Sequence, residues 1–194
     1  MSAVIRAVLI VMLCAASAHA DPVTFEISLH VVKDVETPDW LAAQVTVANK
    51  HFAAVDAAFE VTSQDELDAA STHVVTREDR NALAKLVTDH KIHVFVIQKL
   101  ENVDDAKLPV HGVTWRADGK KYIILGADAI DRVLAHELGH VFGLPHSSYA
   151  ISIMNKAVRD QPPVEDRRFA DEEQAKMKPV IKRLAKTLAV KHGP

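Results

Sequence analysis

The spacing of apolar residues predicts a strand and then a long helix at the start of the mature chain. Residues 23–32, VTFEISLHVV, alternate apolar and polar positions over much of their length, which is typical of a β-strand. Residues 38–58 repeat apolar side chains at helical spacing, and Thr37 before Pro38 predicts an N-cap with proline at the first helical position. The predicted apolar face consists of Leu41, Val45, Ala48, Phe52, Val55 and Phe59.

The middle of the chain predicts a buried strand and a hairpin. A second helix is predicted from a cap at Thr76 to about Asp89, and residues 92–100, IHVFVIQKL, are β-branched and apolar like an interior strand. Asp118-Gly119 separates two strand-like runs, a strong signal for a β-hairpin. Phe59 to Thr62 is predicted as a short strand.

Two helices are predicted in the last third of the chain. The first is predicted to be capped by Asp128 and to run through AIDRVLAHELGHVF. The second is predicted to start near Asp171, with Gln174 completing a capping box and Pro179 kinking or shortening it. The order of strands and helices predicts an α+β fold with a mixed sheet. One face of the last helix, predicted to pack on the core rather than on a membrane surface, carries Met177, Ile181, Leu184 and Leu188.

Residues 1–20 predict a secretory signal peptide. Arg6 precedes an apolar run that ends in Ala18-His19-Ala20, the A-x-A pattern of a cleavage site after Ala20. The run is shorter than the roughly 20 residues that span a bilayer, which favours cleavage over a membrane anchor. A secreted or periplasmic destination is therefore predicted, with no membrane contact after cleavage.

Composition limits which disulfides and which binding partners can be predicted. Cys14 is the only cysteine, so a mature chain of residues 21–194 would fold without a disulfide and by core burial. The formal net charge of −3 is small and both signs are spread along the chain, so no nucleic-acid partner is predicted. Nothing in the sequence sets the oligomeric state.

The motif HELGHVFGLPH, residues 136–146, has the spacing of a zinc site. His136 and His140 lie about 40° apart around a helix, so two imidazoles can reach one ion. Gly143 can end the helix in a left-handed conformation, after which Leu144-Pro145 returns the chain and His146 can close the site. Three protein ligands and one open position are the arrangement of a catalytic zinc ion.

Glu137 gives the predicted metal site a candidate general base. It follows His136 directly, so its carboxylate would lie beside the metal and could move a proton from the attacking water to the leaving amine. The simpler alternative is a buried helix end with hydrogen-bonded histidines. The remaining histidines follow no ligand spacing and are predicted to be surface or hydrogen-bonded residues; they are His30, His51, His73, His90, His93, His111 and His192.

The motif resembles the metzincin pattern H-E-x-x-H-x-x-G-x-x-H at every specified position. Met154, eight residues after His146, matches the methionine turn of that clan, and the short interval and Ser147 resemble the matrixins, the family of matrix-metalloprotease-like enzymes. The run RRFADEEQ is similar to the start of the last matrixin helix. No stretch suits a structural calcium or a second zinc, so one catalytic zinc ion is predicted and structural calcium is not.

The resemblance implies a zincin-like fold and a secreted zinc endopeptidase that acts on peptides or proteins. It implies a twisted mixed sheet with an active-site helix in an upper lobe, about residues 21–143, and a small lower lobe, about residues 144–194, closed by a helix. His111 and Gly112 would lie on the sheet edge above the cleft, where an extended peptide could pair; Gly112 suits either close backbone approach or an ordinary bulge. Tyr149 is a candidate oxyanion donor or a packing residue. The alternative function is a zinc-containing peptide-binding protein with little or no catalytic activity.

Overall fold

The structure is a computed structural model that describes residues 21–33, 35, 38–68 and 71–191. The predicted signal peptide with its cleavage site, the Thr37 cap and His192 lie outside these residues. Within them, no helix has both the length and the apolar character needed to cross a bilayer.

A mixed sheet forms the centre of the fold. Strands β1, β2, β4 and β7 are mutually parallel where they pair, and β6 runs antiparallel to β7 at one edge, in the order β2-β1-β4-β7-β6. A short last strand, β8, pairs antiparallel with the start of β1. The predicted α+β fold with a mixed sheet is thus confirmed. The strands are β1 Val23–Val32, β2 Ala57–Leu67, β3 His73–Val74, β4 Ile92–Ile97, β5 Lys99–Leu100, β6 Gly112–Ala117, β7 Lys120–Gly126 and β8 Val190–Lys191.

Local sequence explains the strand ends. Asp118 and Gly119 have φ values of 51° and 73°, the two positive values that a tight hairpin turn needs, so the predicted hairpin is confirmed. The predicted strand 92–100 is divided, because β4 stops at Ile97 and β5 pairs with β3 in a separate two-stranded sheet. The predicted strand at Phe59 lies within the longer β2.

The predicted helix over residues 38–58 is too long. Helix α1 spans Pro38–Phe52 and is followed by a 3₁₀ turn at Ala53–Val55. Asp56 then takes a left-handed φ of 55°, which turns the chain into β2. Phe59 continued the apolar pattern because it packs edge-on against Phe52 in the same core, with ring centroids 4.9 Å apart.

The second predicted helix is correct at its start and too long at its end. Thr76 caps α2, Arg77–Ala82, by accepting a hydrogen bond from the Asp79 amide, and the Asp79 side chain accepts from the Thr76 amide. The chain then tightens into a 3₁₀ helix at Leu83–Leu86.

Helix α3, Val133–Val141, starts later than predicted. Asp128 does not cap it, because its carboxylate lies 3.0 Å from Nδ1 of His111 instead. Gln44 on α1 takes that role: its side-chain oxygen accepts from the Leu134 amide at 3.0 Å and its nitrogen donates to the carbonyls of Ala129 and Ile130. The first helix therefore fixes the start of the motif helix from 90 residues away in sequence.

Helix α4, Asp171–Leu184, continues past Pro179, and its predicted capping pair is wrong. Gln174 donates to the Phe169 carbonyl, and the side chain that reaches back to the start of the helix is Glu173, which accepts from the Ala170 amide at 2.8 Å. Met177 and Ile181 are buried, as the predicted apolar face requires.

Two apolar clusters cover the two faces of the sheet. The larger joins β1, α1, α3 and α4 and includes residues on both sides of Gly143. The smaller includes Phe95, Tyr122 and the start of the 3₁₀ helix Leu83–Leu86. The predicted boundary between an upper and a lower lobe at residue 143 remains a prediction.

A buried histidine pair crosses the sheet between β1 and β4. His30 and His93 stack with ring centroids 5.1 Å apart and share a 2.9 Å hydrogen bond between Nε2 and Nδ1. The other nitrogen of His93 meets Asp89 at 2.9 Å, and His30 lies 3.8 Å from Asp65. Both predicted non-ligand histidines are thus hydrogen-bonded core residues.

The histidine pair predicts a loss of stability in mild acid. Burial lowers the pKa of both imidazoles, and for His30 the facing His93 lowers it further. The unfolded chain therefore binds these protons first, so stability is fully present above pH ~6.5 and falls as the pH drops below it. Chemical denaturation should show a steeper fall for the wild type than for His93→Gln, by about 1 kcal/mol between pH 6.5 and 5.5.

A matched substitution at an exposed histidine tests the assignment of that acid sensitivity. His73→Gln changes the same residue type on the surface and should retain the wild-type pH profile. Equal profiles for wild type and His93→Gln would show that the buried pair does not set the acid sensitivity.

Candidate metal centre

Three histidines meet at the C-terminal end of α3. The rings of His136 and His140 lie 4.8 Å apart between centroids, and His146 lies 5.3 Å from the first and 4.8 Å from the second. One nitrogen from each ring can be chosen so that all three lie within 4.8 Å of one another. In the part of the chain that the structure describes, this is the one histidine, cysteine or carboxylate group of three or more with such a geometry.

The end of α3 brings His146 back to the helix. Gly143 has a φ of 92°, its amide donates to the His140 carbonyl, and the Leu144 amide donates to the Gly139 carbonyl at 2.9 Å. These two bonds are those of a Schellman motif, in which glycine takes the left-handed position. The reversal predicted from Gly143 is confirmed.

Backbone carbonyls orient two of the imidazoles. Nδ1 of His136 lies 2.8 Å from the Ile153 carbonyl, and Nδ1 of His140 lies 2.7 Å from the Leu144 carbonyl. Since a carbonyl only accepts, each Nδ1 carries the proton and each Nε2 has a free lone pair. Burial lowers the pKa of both rings, which favours the neutral form that binds metals.

Met154 lies directly under the motif helix. It is fully buried, and a Cβ placed on Gly139 would come within 2.5 Å of its sulfur. Gly139 lies between the two helical histidines, so the absence of a side chain there lets the methionine approach the helix. Glycine within a helix lowers its stability, but the sequence alone does not show which side chain packs against it.

A buried carboxyl group ties the methionine turn to α4. The Ser152 hydroxyl contacts both oxygens of Glu173 at 2.7 and 2.9 Å, and it accepts from the Met154 amide at 2.8 Å. Both side chains are at most 3 % exposed. Since Ile153 supplies the carbonyl that orients His136, Glu173 supports that histidine through the turn. No sequence pattern predicted this role for Glu173.

Glu137 is buried beside the histidines and held by one hydroxyl. Thr114 on β6 donates to the Glu137 backbone carbonyl at 2.8 Å and reaches its carboxylate Oε2 at 2.9 Å. Burial raises the pKa of Glu137, while His140 and then Thr114 oppose the rise. A carboxyl group with a raised pKa is suited to accept and return a proton near neutral pH. Thr114 is a second residue that sequence reasoning missed.

A cleft of about 1680 Å³ runs between β6 and the segment after the methionine turn, and the three histidines line it. His111 and Gly112 also line it, and a Cβ on Gly112 would clash with Val133. Gly112 is thus a site of close approach to α3. Tyr149 is not among the lining residues; it is exposed, and its backbone carbonyl holds the Asn155 side chain. Contact of any of these residues with a substrate remains a prediction.

Replacing Thr114 by Val tests the hydroxyl as a positioning group for Glu137. The variant keeps the shape but loses the hydrogen bond, so we expect kcat to fall about tenfold with little change in KM. Thr114→Ser restores the hydroxyl and should recover most of kcat, which a purely structural role of the methyl group would not allow. Wild-type kcat in Thr114→Val would contradict the assignment.

Comparisons with known proteins agree with the motif and the fold. The model of a peptidase family, matrixin (Peptidase_M10), matches residues 19–178. No curated protein matches. The fold is similar to metalloproteinase-II from Bacteroides fragilis, with a TM-score of 0.59, 16% identity and coverage of 84% of this chain and 55% of that one. It is also similar to archaemetzincin from Methanopyrus kandleri, with a TM-score of 0.56, 16% identity and coverage of 82% and 97%. This chain therefore spans about half of the Bacteroides protein.

Proposed function

The chain belongs to the matrixin family of peptidases, and from that premise we propose that it is a zinc-dependent endopeptidase. The family match agrees with the metzincin and matrixin resemblance of the motif. The observation that carries the proposal is the placement of Glu137, buried and held by Thr114, directly beside three converging histidines.

The donor set fits zinc. His136, His140 and His146 would hold one ion through neutral nitrogen atoms, and the first two present Nε2 because a carbonyl occupies Nδ1. When bound, zinc would activate a water molecule and polarise the carbonyl of the bond to be cut. Three protein ligands leave one position free for that chemistry, and no second ion or structural calcium is proposed.

Glu137 would move the proton during hydrolysis. Its carboxylate accepts a proton from the attacking water and then donates one to the nitrogen of the leaving amine as the C–N bond breaks. Thr114 holds Oε2 in place, and burial keeps bulk water from competing for that proton. Met154 supports the helix that carries the carboxylate.

The substrate would lie extended along β6. This strand pairs only with β7 on one side, so within the described residues its other edge faces the cleft. An extended peptide could add to that edge by backbone hydrogen bonds and pass over the histidines. His111 and Gly112 would lie under one end of it. The composition of residues 1–20 supports export through a cleaved signal peptide to the periplasm or the medium.

A paired measurement of metal content and peptide cleavage tests the proposed function. Elemental analysis of the purified protein should give one zinc per chain, and a broad peptide-library digest should show internal cleavage. Chelation should abolish cleavage, and one equivalent of zinc should restore it. Zinc without cleavage would favour a peptide-binding protein, and a folded chain that takes up no zinc would overturn the proposal.

A further inference from the structure

The cleft is positively charged although the whole chain is not. The formal charge of the sequence is −3. In contrast, among the described residues the only carboxylate that lines the cleft is Glu137, which is buried. The cationic side chains that line the cleft are Arg116, Lys121, Arg132, Lys156, Arg159 and Arg167. A cleft of one sign concentrates ligands of the opposite sign and favours them once bound.

Three of these cations form what we call the arginine cluster: Arg132, Arg159 and Arg167, which line the same cleft, with Arg167 donating to the backbone carbonyl of Arg159 at 2.6 Å. Burial and then the positive charge of Arg167 lower the pKa of Arg132. Burial, then Arg167 and then Arg132 lower the pKa of Arg159. No carboxylate pairs with any of the three among the residues that the structure describes. Such a group of like charges is unfavourable unless an anion joins it.

The members of the arginine cluster differ in what their donors already do. Arg159 donates to the backbone carbonyls of the segment around residues 150–157, and Arg167 donates to the carbonyls of Pro162 and Arg159. Carbonyls satisfy these N–H groups but leave the charges uncompensated. Both side chains therefore shape the segment and still contribute positive potential.

Arg132 has its donors free. It is half-buried, and its guanidinium makes no hydrogen bond or ion pair with any residue in the described ranges. It lies one turn before His136, whose amide donates to the Arg132 carbonyl, so the two side chains share one helix face. Removing an unpaired cation partly from water is unfavourable, and a planar carboxylate that accepts two N–H bonds would compensate.

We propose that the arginine cluster is a subsite for a peptide carboxylate, with Arg132 as the group that binds it. The substrate class would be peptides with an aspartate or glutamate side chain next to the bond that is cut, or with the carboxyl terminus at that place. This inference rests on the proposed peptidase function and adds the chemistry that selects its substrates.

Matched peptides test the preference and its source. Two internally quenched series carry Glu or Gln at each of the positions around one cleavable bond, and every peptide is made with a free and an amidated carboxyl terminus. We expect at least one Glu peptide, or one free-terminus peptide, to show a kcat/KM about tenfold or more above its uncharged partner. The position that responds distinguishes a side chain from the chain terminus. The preference should shrink at high ionic strength.

Substitutions assign the preference to the cluster. Arg132→Gln should bring the ratio of acidic to neutral peptides close to one, and Arg132→Glu should invert it, so that the Gln peptide is cleaved faster than the Glu peptide. Arg168→Gln is the matched control, since Arg168 is exposed, adjacent to Arg167 and not part of the cleft wall. It should keep the wild-type ratio.

The outcomes separate failure of the subsite from failure of the peptidase function. Equal kcat/KM for acidic and neutral peptides in the wild type, or an unchanged ratio in Arg132→Gln, would overturn the subsite. If no peptide is cleaved, the proposed function fails, and calorimetry on the zinc-loaded protein still tests the subsite. A Kd for the Glu peptide about tenfold below that of the Gln peptide would support it, and equal values would overturn it.

Discussion

Replacing Glu137 by Gln is expected to lower kcat by about 10³-fold while zinc binding is retained. The amide has the shape of the carboxylate and can keep the hydrogen bond from Thr114, but it cannot accept a proton from water. Because burial disfavours the charged form of Glu137, the neutral variant should be at least as stable as the wild type. Steady-state kinetics, elemental analysis and denaturation together measure these three quantities.

The control for this variant is a loss of the same charge elsewhere. Glu78→Gln on α2 changes an exposed carboxylate outside the cleft wall and should leave kcat unchanged. If Glu137→Gln cleaved peptides at the wild-type rate with zinc bound, Glu137 would not be the base, and proton transfer would have to be assigned elsewhere.

Replacing Glu173 by Leu is expected to lower the free energy of unfolding by about 3 kcal/mol. The substitution leaves the Ser152 hydroxyl and the Ala170 amide without their shared partner in a buried position. The methionine turn carries the carbonyl that orients His136, so zinc affinity should also fall about tenfold. Chemical denaturation and competition with a chromogenic chelator measure the two effects.

Glu172→Leu provides a control in the next residue of the same helix. Glu172 is exposed and makes no hydrogen bond to a described side chain, so the change adds the same apolar volume without removing a buried partner. We expect its stability to stay within about 0.5 kcal/mol of the wild type. Equal losses in both variants would show that general changes to α4, rather than the bond to Ser152, cause the effect.

Local sequence patterns predicted the histidine site more accurately than the ends of the helices. The spacing of the histidines, Glu137 and Gly143 is imposed by helix geometry within eleven residues, so the sequence was sufficient to place them together. The predicted start of α3 was wrong because the helix is capped by Gln44, a residue far away in sequence. The predicted α1 was too long because Phe59, which lies on a strand, packs against Phe52 in the same core and so continues the apolar pattern of the helix. Such tertiary contacts leave no local pattern.

The roles of Thr114 and Arg132 were not predicted, for the same reason. Thr114 lies on the edge strand β6 and contacts Glu137 on α3. Threonine is common in strands, so its presence there does not indicate this contact. No local pattern predicts a role for Arg132, because its role in the arginine cluster depends on Arg159 and Arg167, which are distant in sequence and line the same cleft.

Because backbone carbonyls orient His136 and His140, the site can tolerate amino-acid substitutions at the residues that supply those carbonyls. Main-chain oxygen atoms of Ile153 and Leu144 hold the rings, so the identity of those two side chains is not tied to the proton position on either imidazole. Homologues could exchange such residues for others of similar volume and keep the same tautomers. A search for relatives by side-chain signatures would therefore find the histidines and the glycine but would miss the supports beneath them.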